Sequence, residues 1–216
     1  MVTEFAAGVQ VAMAPPRNCA TTIFLEPFLE SGAPDLVAVT WHVPTAKALW
    51  HLAANLRVDS LRVLHFLATS PERSDNLLED VFGRRRSKAL IGELLEQGAV
   101  RRHRGTWTVK GRDRVFAVRK IVAIEAKLSD AARLLQQASN NRWFASESYA
   151  LFRRRPTEPS MQSARRLGVG VWVHGDEQPS LKAKNSAEQP VSYASWLFNT
   201  WIAHHARLLD GGARDR

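Results

Sequence analysis

The residues of this chain best placed to do chemistry are two acids and a base: Asp35 in "GAPDLVAV", and Glu125 and Lys127 in "IVAIEAKLSD". The second stretch closes an apolar run with a carboxylate and an ammonium two positions apart. Side chains of an extended strand alternate between faces, so Glu125 and Lys127 share one face and Ala126 takes the other. Such a pair could be a surface ion pair, worth roughly 0–1 kcal/mol. It could equally be half of an active site. Metal-assisted hydrolysis of a phosphodiester needs oxygen ligands for a hard cation, and Mg²⁺ usually takes one or two carboxylates beside water and phosphate oxygens. It also needs a positive group near the attacking water and the developing charge. Asp35 at the start of one strand, with Glu125 and Lys127 on another, supplies these groups if the two strands are neighbours.

The elements that must position them can be read from the pattern. Residues 3–13 have helical character with Glu4 early, where the helix dipole favours an acid, and "APPRN" breaks the run. Thr21–Glu30 and Asp35–Trp41 read as two strands around a Ser-Gly turn. Pro34 sits just before the second strand, where a missing N–H does little harm. After Val115 a long strand, "VFAVRKIVAIEAKLS", is followed by a helix capped by Ser129 or Asp130. Two further strands, "SESYALFRRRP" and "LGVGVWVHGD", are separated by the short basic segment "SMQSARR". A polar surface loop leads to a final amphipathic helix in which Trp196 and Trp201 are expected to pack onto the body.

Between these flanks the periodicity is helical. "VDSLRVLHFLATS" sets Val58, Leu61, Leu64 and Ala68 on one stripe, and "SDNLLEDVF" offers Ser74 and Asp75 as caps. "RRRSKALIGELLEQG" predicts a third helix with Leu90, Leu94 and Leu95 inward and Gly98 just past its end. "AVRRHRGTWTVK" then alternates as a hairpin around an Arg-Gly turn. Three short helices and a basic hairpin make the outline of a winged helix-turn-helix. The expected organisation is a core of residues 1–43 and 115–216 with an inserted module over 44–114.

The arrangement of "PD" before one strand and "ExK" at the end of another resembles the PD-(D/E)xK nuclease superfamily, with its restriction-endonuclease-like fold. The match runs through Pro34, Asp35, Glu125 and Lys127. Glu4 corresponds to the acid that many members carry in a first helix, and Gln137 in "LLQQASN" to a helix glutamine common in related nucleases and resolvases. The resemblance covers roughly residues 1–43 and 115–175. It implies an α/β core with a mixed central sheet flanked by helices. It also implies a Mg²⁺ or Mn²⁺ site built from Asp35, Glu125 and the Ala126 carbonyl, with Lys127 positioning or polarising water. Many relatives cut as dimers, so a homodimer accords with the likeness. The alternative reading is a DNA-binding regulator that reuses the fold without cutting.

Charge points to the same class of partner. Thirty Lys and Arg against 21 Asp and Glu give a formal +9, with a sequence pI near 10.4. The excess is clustered rather than spread, which suits a polyanion such as DNA. Arg84, Arg85, Arg86 and Lys88 open the third helix of the module, and Arg101, Arg102, Arg104 and Trp107 lie on the hairpin. In a winged helix the third helix enters the major groove while the wing touches the backbone, contacts that position a duplex more than they read it. Winged helices also dock proteins, so the module alone leaves both partners open. No apolar run approaches the ~18 residues needed to span a bilayer. The acidic start argues against a secretory signal, and a single cysteine, Cys19, excludes an internal disulfide and a thiolate zinc site. A cytoplasmic location is the expectation. The seven histidines show no H-x-H or H-x₃-H spacing, and Walker, dinucleotide and G-x-S-x-G motifs are missing.

Overall fold

The computed structural model describes residues 5, 14–30, 32–53, 56–111, 115–127, 130–185 and 188–211, with the backbone alone at 50–53 and 207–211. Glu4 lies outside the described residues. Along the chain run β1 (Cys19–Leu25), β2 (Leu36–His42), α1 (Val43–Ala53), α2 (Val58–Thr69), α3 (Asp75–Phe82), α4 (Arg84–Glu96), β3 (Val100–His103) and β4 (Thr106–Val109). There follow β5 (Val118–Lys127), α5 (Ala131–Asn140), a 3-10 turn (Asn141–Trp143), β6 (Glu147–Phe152), α6 (Glu158–Leu167), β7 (Gly170–Val173) and α7 (Tyr193–Gly211). Two compact units result, residues 1–41 with 119–191, and residues 42–118 with 192–216.

The first unit is an α/β layer structure around a mixed five-stranded sheet in the order β1-β2-β5-β6-β7. Strands β5, β6 and β7 are parallel, with Glu125 opposite Ala150 and Lys127 opposite Phe152. Parallel neighbours need a crossover, and α5 and α6 provide the two that are required. The β1–β2 pair is antiparallel: the Glu26 amide donates to the Asp35 carbonyl at one end, and the Thr21 and Thr40 hydroxyls meet at the other. By the same logic β2 runs against β5, with His42 beside Ala117 and Asp35 beside Ala126. The first strand stops at Leu25 instead of reaching Glu30, because Glu26 takes a positive φ of 46° and Pro27 has no N–H to offer a ladder.

Helices α5 and α6 cover one face, burying Leu134, Leu135 and Met161 against Ala150, Phe152 and Val171. Leu36, Ile124, Tyr149 and Trp172 lie on the other face, where the Phe5 ring meets Trp172 edge-on at 5.0 Å. As the central strand, β5 is covered on both sides, so Ile121 to Ile124 are at most 1% exposed and the run reads as continuously apolar. The basic segment "SMQSARR" is no simple connection. It forms the body of α6, which Pro159 opens in the first turn, where its missing N–H costs nothing.

In the second unit the Ser74 hydroxyl caps α3 by accepting from the Leu77 amide at 3.3 Å. Gly83 alone joins α3 to α4, and its φ of 81° is a conformation that only glycine adopts without strain. Helix α4 buries Leu90, Ile91 and Leu94. Leu95, expected inward, is 45% exposed, since one further residue turns the side chain by about 100°. Gly98 (φ 69°) ends the helix in a Schellman motif: its amide donates to Leu95 and the Ala99 amide to Leu94. Strands β3 and β4 form an antiparallel hairpin that pairs Val100 with Val109.

Helix α7, which the sequence pattern assigns to the flanking core, packs instead with α1 and α2 in the second unit. Its apolar stripe finds a helical layer there. Trp196 is 1% exposed and meets Phe116 at 4.8 Å, and the Asn199 amide holds the backbone on either side of Phe116. Asn199 accepts from the Ala117 N–H at 2.7 Å and donates to the Val115 carbonyl at 3.1 Å. Among the described residues no helix is long and apolar enough to cross a membrane.

Candidate active site

Asp35 sits at the mouth of β2, half-buried behind the buried Pro34. Its Oδ2 accepts a hydrogen bond from the Ala126 amide at 2.6 Å, across 91 residues of sequence. The bond places Asp35 against the middle residue of Glu125-Ala126-Lys127. In an extended chain the N–H and C=O of one residue leave the strand on the same edge. The Ala126 carbonyl therefore faces the Asp35 side as well.

Glu125 is 5% exposed, an acid on the central strand of the sheet. Burial is the main force on its carboxyl and pushes the pKa up to about 7, and the neighbouring Asp35 charge adds to the rise. Two groups oppose it. Asn141 donates its side-chain N–H to Glu125 Oε1 at 2.7 Å, and the Lys127 charge favours the ionised form. Lys127 makes no contact ion pair among the described residues. A surface ion pair is thus not what these two residues form.

Asn141 escaped the sequence reading. Its backbone N–H donates to the Gln137 carbonyl, so it stands one turn beyond Gln137 at the end of α5. That i+4 spacing from a motif glutamine is the signal that could have found it. Gln137 makes no hydrogen bond to either carboxylate among the described residues, and its Oε1 is buried without a partner. The side-chain amide that does reach Glu125 is that of Asn141.

Among the described residues no group of three or more His, Cys, Asp or Glu side chains could hold a metal ion. The groups at this point are two carboxylates and a carbonyl, all oxygen, a set that fits a hard cation that keeps several waters. A cation between Asp35 and Glu125 would also offset the cost of ionising a buried acid beside another.

The basic residues of the second unit divide into two sets. Arg84 and Lys88 both reach Glu79, at 3.6 and 3.8 Å, Arg86 pairs with Asp59 at 2.6 Å, and Arg102 pairs with Asp75. Arg85, Arg101 and Arg104 are exposed and have no acidic partner among the described residues. Trp107, expected on the hairpin surface, is 7% exposed. Strand alternation turns it toward the helices, where its indole N–H donates to Asp75 at 2.6 Å and Arg102 lies 5.6 Å over its ring. It latches the hairpin to α3. Comparison with known proteins returns no match: no family model, no curated protein and no solved structure is significantly similar to this chain.

Proposed function

We propose that this chain is a Mg²⁺- or Mn²⁺-dependent deoxyribonuclease of the PD-(D/E)xK type, with a winged helix-turn-helix-like module for gripping DNA. One observation carries the reading. The hydrogen bond from Ala126 to Asp35 sets one acid against the strand that carries Glu125 and Lys127, the kinds of group that metal-assisted phosphodiester hydrolysis requires. The metal would be held by Asp35, Glu125 and the Ala126 carbonyl, and when bound it polarises the phosphate and lowers the pKa of a coordinated water.

The chain's own groups do the rest. Asn141 fixes the direction of the Glu125 carboxylate. Lys127 holds a positive charge at the edge of the site, where partial exclusion of water makes it worth more to a developing anion than in bulk solvent. In the second unit, the order of α2, α3, α4 and the β3–β4 hairpin follows that of a winged helix. Arg85, Arg101 and Arg104 are free to meet backbone phosphates, contacts that position DNA without reading its sequence.

Purified protein incubated with plasmid, branched and single-stranded DNA, in Mg²⁺, Mn²⁺ or EDTA, tests the reading. Metal-dependent cleavage that is lost in Asp35→Asn supports it. A folded protein that binds DNA yet cuts none of these forms with either metal is a DNA-binding regulator instead.

A further inference from the structure

The pocket beside Lys127 is larger than a metal site needs. It measures about 410 Å³ and lies in the first unit, at the carboxyl ends of β5 and β6 where α5 and α6 begin. That volume falls in the ~300–1,000 Å³ range of small-molecule sites. Its charged wall is Lys127, Arg153, Arg154 and Arg155. The three arginines are exposed, and none has an acidic partner among the described residues. The one acid in the lining, Asp130, is engaged in capping α5, where it accepts from the Arg133 amide at 3.0 Å. Leu134 and Phe152 form an apolar wall.

Four cations against the single Asp130 carboxylate leave the hollow with an excess of positive charge, which a bound anion would offset. A phosphodiester carries a single charge, whereas a terminal phosphate carries about −1.5 to −2 and presents three acceptor oxygens, for which guanidinium forks are well shaped. The apolar wall suits the sugar or base of the same nucleotide. A hollow of this volume is of a size for one nucleotide.

We propose that this pocket holds the phosphorylated end of a nucleic-acid strand, one nucleotide with its terminal phosphate against Arg153, Arg154 and Arg155. The proposal rests on the nuclease reading of the neighbouring site and names its substrate class as a strand end.

The test measures binding in EDTA, so that affinity is read without cleavage. Full-length protein is titrated with internally labelled single strands carrying a 5′-phosphate, a 3′-phosphate, or hydroxyls at both ends. One phosphorylated strand should bind about tenfold tighter than the hydroxyl strand, as expected for several charge-assisted hydrogen bonds. Which one does so identifies the end. The triple substitution Arg153→Gln, Arg154→Gln, Arg155→Gln should erase the preference and lower the salt slope by about 0.7 per lost contact, with circular dichroism confirming the fold. Equal affinity of the wild type for all three strands overturns the proposal, as does a preference that survives the triple substitution. A protein that prefers a phosphorylated end but never cuts in Mg²⁺ or Mn²⁺ keeps the pocket and loses the nuclease reading. One that cuts but shows no end preference does the reverse.

Discussion

The Asn141 side chain donates to Glu125 Oε1 over 2.7 Å, and both residues are buried. The bond ties the turn after α5 to the central strand of the sheet, so the end of a helix sets the direction of the site's least solvated acid. A hydrogen bond to the ionised form also lowers the carboxyl pKa against the rise that burial imposes.

Asn141→Ala removes that donor and should raise the Glu125 pKa further. Protons then compete better with a metal, so affinity for Mn²⁺ should fall about 10–100-fold near neutral pH, as is usual when the partner of a ligand is lost. The deficit should shrink as pH rises. Calorimetric Mn²⁺ titrations at several pH values read both effects, and an unchanged affinity would make Asn141 a packing residue only.

Lys127→Ala should cut single-turnover cleavage by about 10²–10³-fold while leaving DNA affinity in EDTA nearly unchanged. The ammonium is one of 30 Lys and Arg, so its share of binding is small, whereas its place beside Glu125 is not shared. A parallel loss of binding and cleavage would assign Lys127 to general DNA attraction.

Glu125 makes the metal-free fold sensitive to pH. Its folded pKa is raised from 4.5 to about 7, so the folded state holds a proton that the unfolded chain has released across that window. The stabilisation is complete below pH 4.5 and lost as pH rises through about 7. In EDTA at pH 8, Glu125→Gln should therefore be more stable than wild type, by up to about 3 kcal/mol in urea denaturation. Mn²⁺ should restore the wild type and leave the variant unaffected. Equal stabilities at pH 8 would mean that Glu125 ionises at little cost.

Neutralising Arg85, Arg101 and Arg104 together should weaken DNA binding alike across sequences and flatten its salt dependence by about 0.9 per lost phosphate contact. Arg86→Ala should do less, because its guanidinium is engaged with Asp59 at 2.6 Å. Salt titrations of duplex binding separate the two. An unchanged slope in the triple variant would point to a protein partner for this unit.

Features whose causes lie within a few residues were legible in the sequence itself. Ser74 caps α3, Gly98 closes α4, Arg104 and Gly105 turn the hairpin, and the apolar run before Glu125 is a strand buried on both faces. Alternation also set Glu125 and Lys127 on one face, and the α/β class with a mixed sheet is what the resemblance carried by these motifs implied. Tertiary structure alone decided who meets whom. Asp35 reaches Ala126 across 91 residues, Asn141 supplies an amide to Glu125, Trp107 turns inward, and α7 joins the second unit. Four of the module's basic residues proved to be paired with acids. The physical reason is the same in each case. A one-dimensional pattern specifies which face of an element is apolar, but the neighbour against that face is chosen by the packing of the whole sheet and its helices.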